Sequence, residues 1–289
     1  MLDLSNIPSQ QLQTYTLYAT GNWQTWNKPR NAKFIEIFCL GGGAGGGVAP
    51  IGGFSKNGGA GGGSGGIVRG LIPAFLLPDT LYILVGKGGE GATTSNTAGG
   101  SGGISYIALQ PSTSEQTLIC KSSTAAATSG QVAGGAGGTI SVVSRSAFGN
   151  LGLFTAIAGV AGGTGGTNTG GAGVSQAALG TNLTTGGAGG GGKSNTVTAS
   201  GGNITSASAV LTNQVNGGVT AGQNGADGYG TLQPFCGTGG AGGASIITGV
   251  CGRGGNGWYG CGGGGTGAGS IASKAGDGGD GLVIITVIT

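Results

Sequence analysis

A phosphate-binding pattern, G-x-x-x-x-G-K-[ST], is matched letter for letter by the run from Gly187 to Ser194, with Lys193 as its lysine. Such a site needs a buried strand before the loop and a helix after it, so that backbone N–H groups and the helix N-terminus meet the phosphates. Residues 181–185 are polar, however, and residues 195–200 lack helical spacing. Because glycine makes a chance match easy in this chain, we expect no nucleotide site.

General acid–base catalysis has few residues available to it. The chain has no histidine, which removes the commonest general base and the commonest metal ligand. A pair of carboxylates could hydrolyse a glycoside, but Asp277 and Asp280 lie inside a glycine block and the others are scattered, mostly in turns. Turn or cap roles are favoured, and we expect neither an enzyme nor a cofactor. The acidic residues are Asp3, Glu36, Asp79, Glu90, Glu115, Asp227, Asp277 and Asp280.

The cysteines do not form a metal-binding pattern, because none of them belongs to a C-x-x-C pair. We therefore expect no metal site. The segment Met1–Ser5 lacks the basic and apolar regions of a signal peptide, which favours reduced, buried thiols. A disulfide among the last three cysteines is the alternative. The cysteines are Cys39, Cys120, Cys236, Cys251 and Cys261.

Charge and hydropathy exclude two classes of partner. The net charge is +3, and no run of Lys or Arg exists, so we expect no nucleic-acid binding through a basic patch. The longest apolar stretch, residues 70–86, is interrupted by Pro73, Pro78 and Asp79. That stretch cannot span a bilayer, and we expect no membrane insertion.

Short segments between the late glycine blocks carry aromatic residues beside polar ones. Aromatic side chains on loops suit the recognition of a carbohydrate or a protein. The alternative is that they cap the ends of the glycine layers as a local core. The predicted receptor-binding residues are Tyr229, Phe235, Arg253, Asn256, Trp258 and Tyr259.

Apolar, β-branched and aromatic bursts predict strands throughout the chain. Residues 33–40 are apolar on both faces except for Glu36, which predicts a central strand. Residues 282–288 form the other strong apolar run, and we expect both strands in one sandwich, with Trp23 and Trp26 in its core. The predicted strands are residues 14–19, 22–26, 33–40, 67–72, 80–85, 104–109, 117–121, 139–145, 151–157 and 282–288.

Glycine accounts for 76 of the 289 residues, a content that usually indicates disorder. Disordered chains, however, are highly charged and poor in apolar residues, whereas this chain is 7% charged and 37% hydrophobic. Polyproline II helices make no internal hydrogen bonds, so their backbone groups must bond to neighbours. Helices made mainly of glycine can stack and bond laterally. The predicted fold is therefore all-β: a β-sandwich with glycine-rich loops and polyglycine II-like segments.

Several motifs together resemble the glycine-rich domain of bacteriophage tail-fibre and receptor-binding (adhesin) proteins. The resemblance covers about residues 21–289, and more distantly the chain is similar to long-tail-fibre adhesins in which stacked polyglycine II helices present variable loops to a receptor. It implies an N-terminal attachment arm, residues 1–20, followed by a glycine-rich β domain, residues 21–289. The motifs are W-x-K-P-x-x-A-K-F-I-E-I at 26–37, T-L-Y-I-L-V-G-K-G-G at 80–89, G-G-S-G-G-I-S at 99–105 and G-G-D-G-L-V-I-I at 278–285.

The function expected from this resemblance is that of a non-enzymatic virion protein, assembled in the host cytoplasm and placed on the tail or capsid surface. Its expected partners are other virion proteins, through the arm, and a host-surface glycan or protein. A homotrimer is a further expectation from the resemblance. The alternatives are a head-decoration or minor capsid protein without a receptor, and an ice-binding protein. The last would need a regular Thr or Ala face, which the sequence does not clearly show.

Overall fold

A computed structural model describes residues 12–123, 125, 134–138, 152–177, 183–205, 211–232 and 235–289. Its regular elements are strands and two short 3-10 helices, Ala74–Leu76 and Glu115–Thr117, which confirms the all-β prediction. The strands are β1 (Leu12–Tyr18), β2 (Gln24–Asn27), β3 (Phe34–Leu40), β4 (Ile67–Pro73), β5 (Thr80–Leu84), β6 (Tyr106–Ala108), β7 (Leu118–Lys121), β8 (Leu153–Ile157), β9 (Gly230–Leu232), β10 (Phe235–Gly237) and β11 (Leu282–Ile288).

One sheet joins the two ends of the chain. Its strand order is β1-β11-β3-β4-β8, with antiparallel neighbours. β3 occupies the centre, as its apolar pattern predicted, and pairs along its whole length with β11, from Phe34 opposite Ile288 to Leu40 opposite Leu282. The two strongest apolar runs of the sequence therefore form the middle of the sheet.

A second sheet, in the order β2-β5-β6-β7, packs on the first. Ile35 and Ile37 of β3 meet Leu81 and Ile83 of β5 in one core, and all four side chains have 0% exposure. Trp26 of β2 lies in the same core, as expected. Burial of this apolar surface is the main force that holds the sandwich together.

A bundle of glycine-rich segments, the glycine bundle, extends from the ends of these strands. Residues 41–48 show its bonding rule, because successive N–H groups donate to three different neighbouring segments at 2.8–3.1 Å. A step of one third of a turn per residue is the geometry of a polyproline II helix. The donors at 41, 44 and 47 reach segment 60–66, those at 42, 45 and 48 reach segment 97–103, and those at 43 and 46 reach segment 276–279.

Direct contact between backbones explains the glycine content. A Cβ added to Gly43 would lie far closer to the carbonyl oxygen of Cys261 than van der Waals contact allows, and the same holds for one added to Gly62 against the carbonyl oxygen of Ala44. These neighbours are main-chain atoms in other segments and cannot rotate aside. The glycine blocks therefore have this composition because no side chain fits between the segments.

Part of the predicted arm, residues 1–20, pairs with the sheet. β1 pairs with β11 from Leu12 to Tyr18, so the described part of segment 1–20 belongs to the β domain. Residues 1–11 lie outside the described residues, as does the predicted strand 139–145. A hairpin of β9 and β10 was not predicted, because each of its strands has three residues and contains glycine.

Candidate functional site

Many of the connections between glycine segments lie at the end of the bundle away from the sandwich. This end is opposite the sandwich because β3 runs directly into residues 41–49, and residues 58–66 return directly into β4. We call the surface that these loops form the far face. Its loops are residues 49–57, 92–97, 167–171, 193–198, 219–223, 246–251 and 269–274.

Hydrogen bonds between the loops make the far face one continuous surface. Gly52 N–H donates to Gly269 O at 3.1 Å, and Ile51 N–H donates to the Ser95 hydroxyl at 3.0 Å. Val250 and Ile271 form a parallel bridge. Loops that are distant in sequence thus hold one another in place, which reduces the ordering entropy that binding a partner would require.

Lys193 is the main anchor of the far face. Its side chain is fully buried, and its ammonium group donates to the carbonyl oxygens of Gly52 at 2.6 Å and Ile247 at 2.9 Å. Its own backbone exchanges two hydrogen bonds with Lys56. Burial, reinforced by the nearby charge of Lys56, lowers the pKa of Lys193. One cation therefore connects three loops.

The lysine of the phosphate-binding pattern thus binds backbone carbonyl groups of the protein itself. The glycines before Lys193 bond to other segments of the bundle, as Gly190 N–H does to Gly59 O at 2.8 Å. The residues after it form a bend and a short bridge to Thr198 rather than a helix. This arrangement lacks the helix N-terminus that a phosphate loop uses.

Large apolar side chains are exposed on the far face. Phe54 is 77% exposed and Val219 is 73% exposed, and exposed apolar groups on one surface are typical of interaction sites. By sequence, the far-face loops contain no Asp or Glu, and their ionisable residues are Lys56, Lys193 and Lys274, together with the buried Cys251. The exposed apolar residues are Ile51, Phe54, Val197, Val219, Val250 and Ile271.

The predicted receptor-binding aromatics lie at the opposite end of the bundle, where it meets the sandwich. Phe235 is only 4% exposed, and its ring centroid lies 4.9 Å from that of Phe38. Trp258 and Tyr259 are half-buried with centroids 5.0 Å apart, and Tyr259 also reaches Tyr18 at 5.8 Å. These contacts match the alternative that the sequence left open, a local core capping the glycine layers.

Burial where the bundle meets the sandwich also changes the acidity of a tyrosine hydroxyl. It raises the pKa of Tyr259, with smaller effects in the same direction from Tyr18 and Asp280. Tyr229, the remaining aromatic residue of the set, exchanges hydrogen bonds between its hydroxyl and the backbone of Asn213, and its ring packs against buried Ile204 and its neighbours. The structure therefore uses this group as internal support.

Arg253 and Asn256 lie on the side of the bundle and help to terminate its lateral bonding. The Arg253 guanidinium donates to Asn256 Oδ1 at 2.8 Å, and the same oxygen accepts the Asp277 N–H at 3.0 Å. Their own N–H groups donate to Asn224 Oδ1 and Asp227 Oδ1 at 2.8 and 2.6 Å. The six predicted residues are thus not assembled into one exposed site.

All five cysteines are free and buried, which confirms the expectation of unpaired thiols. Burial raises the pKa of Cys261 to about 12, so this thiol is a poor nucleophile at neutral pH.

Among the described residues, His, Cys, Asp and Glu do not come together in a group that could hold a metal ion. Within the same ranges, the chain has no helix with the length and apolar character needed to cross a membrane.

The β-sandwich continued by a glycine bundle defines the class of protein, a glycine-rich β domain. The profile of the glycine-rich domain family matches residues 18–287, from the last residue of β1 almost to the end of β11. The chain belongs to this family. A comparison with curated proteins finds no match.

Proposed function

We propose that the chain is a virion structural protein, a bacteriophage tail-fibre or spike component whose far face contacts the host surface. One observation carries the proposal: loops from the whole length of the chain gather in a single face with exposed apolar side chains. Binding residues are often found on loops that a rigid scaffold positions. The glycine bundle is such a scaffold, since main-chain hydrogen bonds join each of its described segments to several neighbours.

The chemistry of the far face is that of a binding surface. It offers apolar side chains such as Phe54 and Val219, together with many Ser, Thr and Asn residues, and the positive charge of Lys56. Apolar groups that are already fixed in place can be buried with little loss of conformational entropy. The proposal thus moves the predicted contact from Trp258 and Tyr259 to the loops at the other end of the bundle.

The position on the particle follows as part of the proposal. The sandwich end, with the N-terminal segment 1–20, is directed towards the other virion proteins, and the far face is directed outwards. A homotrimer remains an expectation from the resemblance to fibre proteins. A head-decoration protein without a receptor is the competing function, and it would not require the far face to bind cells.

Binding of the purified chain to a panel of candidate host bacteria tests the proposal. Phe54→Ser and Val219→Ser should each lower the affinity for the bound strain about tenfold, as loss of an apolar contact residue typically does. Phe75→Ser is the matched control, because Phe75 is 83% exposed on the 3-10 helix after β4, at the sandwich end. It should bind like the wild type.

Two results would overturn the proposal. One is unchanged cell binding in both far-face variants when both remain folded. The other is a chain that binds none of the cells but sediments with assembled particles, which would favour the decoration function.

A further inference from the structure

The outer surface of the four-stranded sheet carries a row of aromatic residues, the aromatic platform, formed by Trp23, Tyr82 and Tyr106. Tyr106 lies opposite Leu84 in the register of β5 and β6, so both side chains project from the same face. Tyr82, two residues before Leu84, shares that face. Trp23 reaches the same row, because its ring centroid lies 6.3 Å from that of Tyr106.

Trp23 is therefore not a core residue, contrary to the expectation from sequence. It is half-buried on the outside of the sheet, whereas Trp26 is 5% exposed on the inside. Trp23 directly precedes β2, and continuing the alternation of that strand places residues 23 and 26 on opposite faces. Phe54 and the rest of the far face lie at the other end of the molecule.

The polar atoms of the aromatic platform are available to a ligand. Within the described ranges, the hydroxyls of Tyr82 and Tyr106 make no hydrogen bond, and Thr25 stands beside Tyr82 in the register of β2 and β5. Asn27 and Thr80 continue the polar edge and bond to each other at 3.0 Å. Aromatic rings with free hydroxyls offer an apolar surface and hydrogen-bonding groups together, which suits a sugar ring.

Lysines lie at both ends of the aromatic platform, and one of them is unpaired among the described residues. At one end the exposed side chain of Lys87 lies against Gly21, two residues before Trp23. At the other end Lys121 stands opposite Tyr106 in the register of β6 and β7 and pairs with Glu115 at 3.0 Å. Lys87 makes no ion pair with any described residue, so its charge is available to an anionic ligand.

From these contacts we infer that the aromatic platform binds an acidic polysaccharide. Sugar rings stack on Trp23 and Tyr106, hydroxyl groups bond to the tyrosines, and a ring carboxylate pairs with Lys87. Charge complementarity selects an acidic glycan over a neutral one, and this attraction weakens as salt is added. The site is separate from the far face and does not depend on the function proposed for it.

Oligogalacturonate is the probe that tests this inference, with its methyl ester as the matched uncharged probe. The wild-type chain should bind the acid at least tenfold more tightly than the ester, measured by titration calorimetry at low salt. Trp23→Ala and Tyr106→Ala should each weaken binding of the acid about tenfold or more. Phe54→Ser should leave it unchanged.

Lys87→Glu is the variant that keeps the test decisive if an aromatic substitution unfolds the protein. The side chain of Lys87 is exposed, so the fold should be retained, and the preference for the acid over the ester should disappear. Equal binding of acid and ester by the wild type would overturn the inference, and so would absence of binding. Tighter binding of an oligothymidine through the same residues would overturn it too, because stacked bases with phosphates would then be the ligand.

Discussion

Single side-chain oxygens mark where the glycine bundle stops. Where a segment has no neighbouring carbonyl, a carboxylate or amide oxygen takes its place and accepts the backbone N–H. Asp280 accepts from Gly88 N–H and Asp277 from Gly91 N–H, both at 2.7 Å. The two acceptors are three residues apart, which is one turn of a polyproline II helix. Acidic residues inside a glycine block thus have a structural role, as the sequence indicated.

The pKa of Asp277 makes this structural role measurable as a pH dependence of stability. Partial burial alone would raise the pKa, but the bonds from Lys274 and the Gly91 N–H, with the charges of Lys274 and Arg253, outweigh it and hold the pKa below its ordinary value of 3.8. A carboxyl whose pKa is lowered by folding stabilises the fold above that ordinary value. The stabilisation is lost as the pH falls through the lower, folded-state pKa.

We therefore predict that Asp277→Asn flattens the acid limb of the stability profile. The amide can still accept the Gly91 N–H, but it does not titrate. From about pH 5 to about pH 2, the free energy of unfolding should fall less in this variant than in the wild type, measured with urea. Asp79→Asn is the control, because the side chain of Asp79 is 97% exposed and water screens its 3.6 Å ion pair with Lys28. Parallel curves for wild type and Asp277→Asn would contradict the assignment.

At the scale of elements, the steric requirement for glycine differs between a glycine segment and an open position in a far-face loop. Gly43 faces the Cys261 carbonyl, whereas a Cβ at Gly53, in a far-face loop, would have no atom within 4 Å. Glycine is therefore obligatory at the first position and optional at the second. Substituting alanine at each of these two glycines therefore compares a crowded position with an open one.

Gly43→Ala should destabilise the protein by about 3 kcal/mol or more, because backbone must move to admit the methyl group. Gly53→Ala should be neutral or should stabilise it by about 0.4–1 kcal/mol, since alanine lowers the entropy of the unfolded chain. Denaturation in urea measures both changes. A Gly43→Ala variant as stable as the wild type would show that the bundle tolerates side chains at its centre.

Strands were easier to predict than the candidate site. The apolar composition of residues 33–40 and 282–288 predicts two strands, and the structure pairs them in the middle of one sheet. The location of the far face depends on which glycine segments are neighbours, and this order is set by main-chain bonds that identical glycines cannot signal. Phe235 was predicted as a receptor contact for the same reason. The sequence of a connector does not show whether its aromatic residue faces solvent or packs against Phe38.

At the scale of the whole molecule, sandwich and glycine bundle share the same continuous segments. β3 becomes segment 41–49, and segment 276–281 becomes β11 without an intervening loop. The Ser105 hydroxyl reinforces this junction by donating to Leu40 O at 2.6 Å and accepting the Gly86 N–H at 3.0 Å. If either the sandwich or the glycine bundle unfolds, the shared segments are released and the other loses its support.

Thermal unfolding should therefore follow a single transition. The near-ultraviolet circular dichroism of the aromatic residues reports mainly on the sandwich and its junction with the bundle, and exchange of the glycine amide hydrogens reports on the bundle. Both should report the same midpoint, as a two-state unit requires. Two separated midpoints would show that the bundle and the sandwich are independent folding units.

The bonding rule of residues 41–48 also restricts how such a chain can change its length. Adding one residue within a glycine segment would turn every later N–H by a third of a turn and direct it to the wrong neighbour. Insertions and deletions should therefore be tolerated there only three residues at a time. The loops of the far face have no such threefold register. Away from the bonds that tie them together, such as those of Lys193 to Gly52 and Ile247, they can therefore change length while the scaffold keeps its register.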